Sequence, residues 1–465
     1  MISYTEDRQR YLDGSLSVSQ RVEQCLATID AQRDLNAFLH IATDSVRAAA
    51  AACDERFSAG LARPLEGCIV AVKDNMSVKG MPMTCASRIL EGFMPLYTAT
   101  AVERLLDAGA IIVGKTNMDE FAMGSSNETS AYGAVRNPHD SSRVPGGSSG
   151  GSAVAVAAGM CHVSLGSDTG GSIRQPAAFC GVVGYKPTYG AVSRYGLTAF
   201  ASSLDHVGPF APSVRDTQAV FDVMAGVDPM DSTSMSIPEG TPVPPIESVR
   251  VGVLDSAYIA GCEESIQQAY GFTVEHLQAL GATIVPIQLQ HEEAWVPTYF
   301  ILATAEASSN LARFDGVRYG KRFDSEVDIV TETRSRGFGA EVQRRIMLGT
   351  YVLSSGYHDA YYTRAQKSRQ LIAQMYRSVF QVVDVLLMPT TPTTAFNLGE
   401  KQADPVAMWL SDYYTVSANI AGIPAVSVPV GFDEQGLPIG MQVQGPVFAD
   451  NLVLDVANHI TASAG

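Results

Sequence analysis

Two short stretches of this chain place serines on glycine-rich backbone, and a third offers a base. The first, VPGGSSGGSAVAVAAG (144–159), packs four glycines and three serines into positions 146–152. The second is DTGGSIRQP (168–176), where Ser172 follows two glycines. Glycine lets the backbone approach a substrate closely. Successive N–H groups at Thr169, Gly170, Gly171 and Ser172 form a candidate anion nest, which is what an oxyanion hole requires. Ser172 is the candidate attacking group and Ser148 a proton relay beside it. Serine is a weak nucleophile and needs a base. The pattern brings no histidine into reach, and His139, His162 and His206, the nearest, read as structural. Lys73 closes the apolar run CIVAVK (68–73) ahead of Asp74 and Asn75. Burial lowers a lysine pKa by up to several units, and a neutral amine takes a serine proton at neutral pH. Ion pairing with Asp74 or another acid is the ordinary alternative for such a lysine.

The glycine–serine stretch admits other readings. A phosphate loop needs a lysine after its glycines, and none follows here. The G-x-S-x-G elbow pattern matches twice, centred on Ser148 and on Ser149. The preceding NPHDSSRVP, however, is polar and proline-bounded and cannot be a core strand. A flexible linker suits Gly and Ser but not the immediate junction to small apolar residues.

The elements that must hold these groups are legible in outline. Ser17 and Gln20 in SVSQ fit a capping box ahead of a helical repeat of Val22, Cys25, Leu26 and Ile29. CIVAVK, the helix pattern TATAVERLLDAG and the strand AIIVGKTN form a strand–helix–strand crossover unit. GGSAVAVAAGM reads as a buried helix whose glycine-rich N-terminus aims N–H groups outward. Further strands are expected at VSLGSDT, VRVGVL, ATIVPI, DVLLMPT, AVSVPVG and IGMQVQG, with helix at 359–380. The expected fold class is α/β: one large, mixed, mostly parallel central sheet with helices on both faces.

The 465 residues suffice for a sizeable core, and 46% hydrophobic with 17% charged residues is ordinary for a folded protein. The net charge of −16 argues against a broad phosphate-binding face, leaving RYGKR (318–322) as a local basic run that reads as a solvated turn. No apolar run approaches the ~18–20 residues that cross a bilayer. The N-terminus lacks a signal-peptide layout, so a soluble, cytoplasmic protein is expected. Seven scattered cysteines without a C-x-x-C read as reduced core filler, and no metal site is expected.

VAVKDN, GGSSGGSAVAV and DTGGSIRQPAAFCGVVGYKPTYG, in that order and spacing, resemble the amidase signature family over essentially the whole chain. The resemblance implies one amidase domain over 1–465: a helical part (1–60), a catalytic core (61–226), a Pro/Ser-rich loop (227–246) and a second half (247–465) that completes sheet and pocket. It implies a serine–cis-serine–lysine triad of Ser172 as nucleophile, Ser148 as bridging serine after a cis peptide bond, and Lys73 as base.

Four further segments, MDEFAMGSSNETSAYG, EASSNLARFDGVRYGKR, RRIMLGTYVLSSGY and LMPTTPTTAF, are similar to one branch of that family. Members of that branch are the glutaminase subunits of tRNA-dependent amidotransferases. The similarity implies glutamine as substrate, with ammonia passed to a B subunit that amidates Glu-tRNA(Gln), and a small C subunit completing a heterotrimer. It implies no cofactor in this chain, with ATP and Mg2+ used in the partner's step and tRNA held mainly by the partner. A stand-alone amidase acting on small amides is the alternative. By the same similarity Arg345 takes the substrate α-carboxylate, with Arg344 as the alternative, and Asp412 takes the α-ammonium. Tyr299 is a third contact, and Met123 and Gly124 line the amide end. Glu128 and Arg174 are assigned structural roles.

Overall fold

The computed structural model describes residues 1–238, 243–318, 320–323 and 328–461. Among the described residues eleven strands form a single sheet: β1 (Phe38–Ile41), β2 (Ile69–Lys73), β3 (Ile111–Thr116), β4 (Val163–Asp168), β5 (Val183–Lys186), β6 (His206–Ala211), β7 (Arg250–Leu254), β8 (Thr283–Ile287), β9 (Val385–Pro389), β10 (Ala425–Phe432) and β11 (Pro438–Gln444). Their spatial order is β1-β3-β2-β4-β6-β5-β10-β11-β9-β7-β8. The two halves of the chain therefore share one sheet, joined where β5 pairs β10. The sheet is mixed, as expected, but its parallel pairings are confined to two groups. They are β3-β2-β4 on one side and β9-β7-β8 on the other. Every pairing between those groups, and that of β1 with β3, is antiparallel. The short strands β1, β5 and β6 are not evident from the sequence. The proline in HVGPFA and the glycine in VGYK mask two of them, and pairing with longer neighbours stabilises them where propensity does not.

The crossover unit forms as its pattern requires, with the helix Thr100–Asp107 between β2 and β3. The capping box at Ser17 is present with both reciprocal hydrogen bonds. The expected helix at 359–380 runs Arg364–Val382 and is preceded by a π-helical turn, Asp359–Thr363. Of the 227–246 segment, residues 239–242 lie outside the described residues, as does Tyr319 of RYGKR, in which Lys321 pairs with Glu91 at 2.5 Å.

Alternation along β2 decides where its chemistry points. Val70 and Val72 enter the larger core, while Ile69 and Ala71 enter a second core with Ala153, Val154, Ala155 and Val156. These last four belong to the helix Gly150–Ala157, whose small side chains let it lie close to the sheet. Lys73 continues the Ile69–Ala71 parity, so its side chain is delivered to the N-terminal end of that helix. All seven cysteines are buried and free, and no cluster suited to a metal occurs among the described residues.

Candidate active site

Lys73 is fully buried at the end of β2. Its Nζ lies 2.8 Å from Ser148 Oγ, 2.7 Å from Ser149 Oγ and 2.9 Å from Ser167 Oγ. No carboxylate lies within salt-bridge distance of it among the described residues. Burial lowers its pKa to about 7, against the opposing pull of Asp119, Asp168 and Asp205. The amine is thus held near the point where it gives up its proton at neutral pH. Asp74, the ion-pair partner named in the alternative reading of Lys73, faces Lys115 instead, at 3.0 Å.

The Gly147–Ser148 peptide bond is cis. Its surroundings are tightly specified: the Asp119 N–H donates to the Ser148 carbonyl at 3.1 Å, and the Gly147 N–H donates to Gln175 Oε1 at 2.8 Å. A Cβ on Gly147 would fall 2.1 Å from Asp119 Oδ2, so only glycine fits there. Ser172 lies on the next loop, and its carbonyl accepts from the Ser149 N–H at 3.2 Å. The structure therefore brings Lys73, Ser148 and the Ser172 loop together. The Lys73–Ser148 contact is formed, whereas no direct hydrogen bond links the Ser148 and Ser172 hydroxyls among the described residues.

Asp168, the last residue of β4, organises the nucleophile loop. Its carboxylate accepts from the N–H groups of Gly171 (2.8 Å) and Ile173 (3.1 Å) and pairs with the buried Arg174 at 3.1 Å. Burial pushes the Asp168 carboxyl up, but the Arg174 guanidinium outweighs it and holds the group well below the carboxylate range. Arg174 also donates to Thr415 O, Gln442 Oε1 and Asn419 Oδ1. The candidate nest is consequently narrower than its sequence suggests. The Gly171 N–H is committed to Asp168, whereas those of Thr169, Gly170 and Ser172 have no protein acceptor among the described residues. A Cβ on Gly170 would fall 2.4 Å from Tyr299 Cζ, so that tyrosine lies directly over the loop.

Tyr299 and Arg345 come from two helices that pack together, Trp295–Asn310 and Ala340–Leu353. Asp412 follows the short helix Pro405–Leu410. Arg345 is 4% exposed, donates through Nε to Glu341 at 2.7 Å, and lies over the rings of Phe200 and Phe300. Its two terminal nitrogens have no protein acceptor among the described residues. Arg344 turns outward, with 41% of its side chain exposed, and pairs with Glu341. Asp412 accepts from Ser125 Oγ at 2.5 Å. Burial raises its pKa to about 7, opposed by that hydrogen bond and by Arg345. Tyr299 lies within electrostatic reach of both Arg345 and Asp412. Thr415 ties this cluster to the nucleophile loop, donating from Oγ1 to Gly170 O at 2.7 Å. Gly124 packs on the Asp119 carboxylate and Met123 is fully buried.

Sequence reasoning does not anticipate Ser149 and Ser167 as lysine partners. Ser149 sits in the glycine–serine motif, where the elbow pattern marks it only as a nucleophile. The sole signal for Ser167 is its parity on β4, one residue before Asp168. Among the described residues none of the three histidines bonds a triad hydroxyl or Lys73: His139 Nε2 meets Cys180 O, His162 Nε2 meets Asp7 Oδ2, and His206 Nδ1 meets Leu204 O and, at 3.2 Å, Asp168 O. Glu128 Oε1 accepts from the Gly399 N–H, and so ties loops together.

A mixed α/β sheet that buries a lysine among serine hydroxyls, beside a serine on a glycine loop, is a hydrolase arrangement built without histidine. A family model described as Amidase matches residues 20–454, and the chain belongs to that family. It is 51% identical to the A subunit of glutamyl-tRNA(Gln) amidotransferase from Synechococcus sp. (strain RCC307), over 97% of this chain and 95% of that one. It is 53% identical to the protein of the same name from Acidobacterium capsulatum, over 96% of each. Among solved structures, it matches the A subunit of glutamyl-tRNA(Gln) amidotransferase from Thermotoga maritima with a TM-score of 0.80 and 40% identity, covering 99% of this chain and 94% of that one. It also matches the native peptide amidase of Stenotrophomonas maltophilia, with a TM-score of 0.83 and 29% identity over 99% and 96% of the two chains.

Proposed function

We propose that this enzyme is the glutaminase subunit of a tRNA-dependent amidotransferase, with Lys73, Ser148 and Ser172 as its catalytic triad. The observation that carries the reading is a buried lysine, poised near neutrality 2.8 Å from Ser148, facing a site that also holds an open guanidinium and a buried carboxylate. Free glutamine needs all three: a base–nucleophile pair for its amide, a cation for its α-carboxylate and an anion for its α-ammonium.

Neutral Lys73 draws a proton from Ser148, which takes one from Ser172, and Ser172 Oγ attacks the side-chain amide carbon of glutamine. The N–H groups of Gly170 and Ser172, together with that of Thr169, have no protein acceptor among the described residues and so are left to receive the developing oxyanion. The tetrahedral intermediate collapses, the C–N bond breaks, and the lysine proton returns through Ser148 to the leaving nitrogen, releasing ammonia. Water, deprotonated by the same relay, attacks the glutamyl ester. Glutamate leaves and the Ser172 hydroxyl is restored. Arg345 fixes the α-carboxylate, Asp412 the α-ammonium, and Tyr299 closes over the Gly170 loop.

Ammonia then serves a B subunit, which uses ATP and Mg2+ to convert Glu-tRNA(Gln) to Gln-tRNA(Gln). A small C subunit completes the heterotrimer, working in the cytoplasm where aminoacylated tRNA is made. Among the described residues no helix is long and apolar enough to cross a membrane. The test is Ser172→Ala in the assembled enzyme. Glutamine-dependent amidation should vanish while amidation from ammonium salts persists. Retained glutaminase activity would overturn the nucleophile. Rapid hydrolysis of varied small amides by the chain alone, with no partner bound, would favour a stand-alone amidase.

A further inference from the structure

The segment that carries the cis-serine and the helix that carries Arg345 are far apart in sequence, and one buried carboxylate joins them. Glu120 is 1% exposed and sits in a single 3-10 turn, Glu120–Ala122. Its neighbour Asp119 donates its N–H to the carbonyl of Ser148. The Glu120 carboxylate points the other way. Oε2 accepts the N–H of Gly339 at 2.8 Å, and Oε1 accepts the Ser87 hydroxyl, whose oxygen also lies 3.2 Å from Gly337 O.

Gly339 is the N-cap of the helix Ala340–Leu353, and it has no side chain to cap with. The first N–H groups of a helix need acceptors, and its N-terminus favours negative charge. Glu120 supplies both from another part of the fold. A Cβ at position 339 would stand 2.4 Å from Oε2, so glycine is what allows the approach. Phe121 reinforces the joint, meeting Phe338 edge-on at 5.6 Å between ring centroids. Arg345 follows six residues after Gly339, about 9 Å along the helix axis. The titratable and charged groups bearing on Glu120 are few. Burial raises its carboxyl to about 7, while Ser87, Gly339 and the Arg88 guanidinium oppose that rise.

We propose that Glu120 is a positioning residue that fixes the distance between Arg345 and the Lys73–Ser148 pair, and so sets how well the site grips the substrate α-carboxylate. This rests on the reading of Arg345 as the carboxylate anchor. Glu120 touches neither substrate nor reacting atoms. It acts by clamping the N-terminal end of the helix to the segment that holds the cis-serine, so that Arg345 stands ready where the substrate α-carboxylate arrives.

The experiment is steady-state glutaminase kinetics of the full chain in its active assembly. Glu120→Ala should raise KM for glutamine about tenfold while kcat at saturation stays within about twofold. Glu120→Gln should restore KM to within about threefold of wild type. Its amide spans the same gap, with the oxygen accepting from Gly339 and the NH2 donating to Ser87. Combined with Arg345→Met, Glu120→Ala should raise KM no further than Arg345→Met does alone, because the two changes remove one interaction. An unchanged KM in Glu120→Ala, or multiplying effects in the double variant, overturns the proposal. If Arg345→Met itself leaves KM unchanged, the carboxylate reading falls and the proposal with it. If Arg345→Met raises KM and Glu120→Ala does not, only the proposal falls. Should Glu120→Ala not fold, Glu120→Asp carries the same test, since a side chain one methylene shorter cannot reach both donors.

Discussion

Two lysines one strand apart, Lys73 on β2 and Lys115 on β3, are both wholly buried and live in opposite chemistry. In the parallel β2–β3 pair, Val72 is level with Lys115 and Lys73 with Thr116, so the two side chains leave the sheet on opposite faces. Lys115 meets the Asp74 carboxylate at 3.0 Å and the carbonyls of Met76 (2.8 Å) and Pro82 (3.4 Å). Those three acceptors match the three N–H donors of an ammonium. Among the described residues Lys73 meets only serine hydroxyls and one distant carbonyl, which serve the charged and the neutral amine alike. Burial alone does not make a base. Burial without a carboxylate does, and a hydroxyl partner gives the proton somewhere to come from.

Removing each lysine in turn is the strongest way to break that contrast. Lys73→Ala should lower kcat for glutamine by about 10³-fold with the fold intact, since both acylation and deacylation pass protons through it. Lys115→Met should leave kcat per folded molecule nearly unchanged but cost about 3–5 kcal/mol of stability, because Asp74 is left buried without its cation. Kinetics paired with chemical denaturation reads both. Similar activity losses in the two variants would erase the distinction.

The substrate side offers the same contrast in arginines. Arg345→Met should raise KM for glutamine about 100-fold, and Arg344→Met by less than about twofold, because Arg344 is 41% exposed and pairs with Glu341 on its own helix. A larger effect at Arg344 would reassign the anchor.

The pH profile comes next in size. The base works only when neutral, and the lowered pKa of Lys73, about 7, puts that change inside the physiological range. Asp412 works only when ionised, and its raised pKa of about 7 adds a second group with the same direction. Hence kcat/KM should fall as pH drops through about 7, by more than tenfold per unit, and level off above it. A profile flat from pH 6 to 8 would contradict both assignments. The finest test is Ser167→Ala, which removes one acceptor from the lysine ammonium. The charged form loses a hydrogen bond, so the acid limb should move to lower pH, by about 1 unit at most. Movement to higher pH would mean that Ser167 instead supports the neutral amine.

Much of this site is legible in the sequence because its motifs are local. DTGGS and GGSSGG place hydroxyls and bare N–H groups on short loops, and VAVKDN ends a strand on a lysine. What is not legible is commitment. Nothing in DTGGS says that Asp168 takes the Gly171 N–H, because that depends on Arg174 and Asn419 converging on the same carboxylate. Nor does RRIMLGT say which arginine turns inward, since both fit a helix face. The stacking of Phe200 and Phe300 around Arg345 decides it.

The order and spacing of motifs along the chain suffice for the family and the three residues of the candidate triad, and the strand–helix–strand unit follows from residues within one short segment. Only packing assigns Asp74 to Lys115 and leaves Lys73 to serines from two other elements. Packing also brings Tyr299 and Arg345 in on helices from the second half, and sets Glu120 of the first half as the cap of the helix that carries Arg345. The reason is the same throughout. Motifs fix which groups are present, but pairing of buried polar groups is settled by which partner the folded chain brings within about 3 Å.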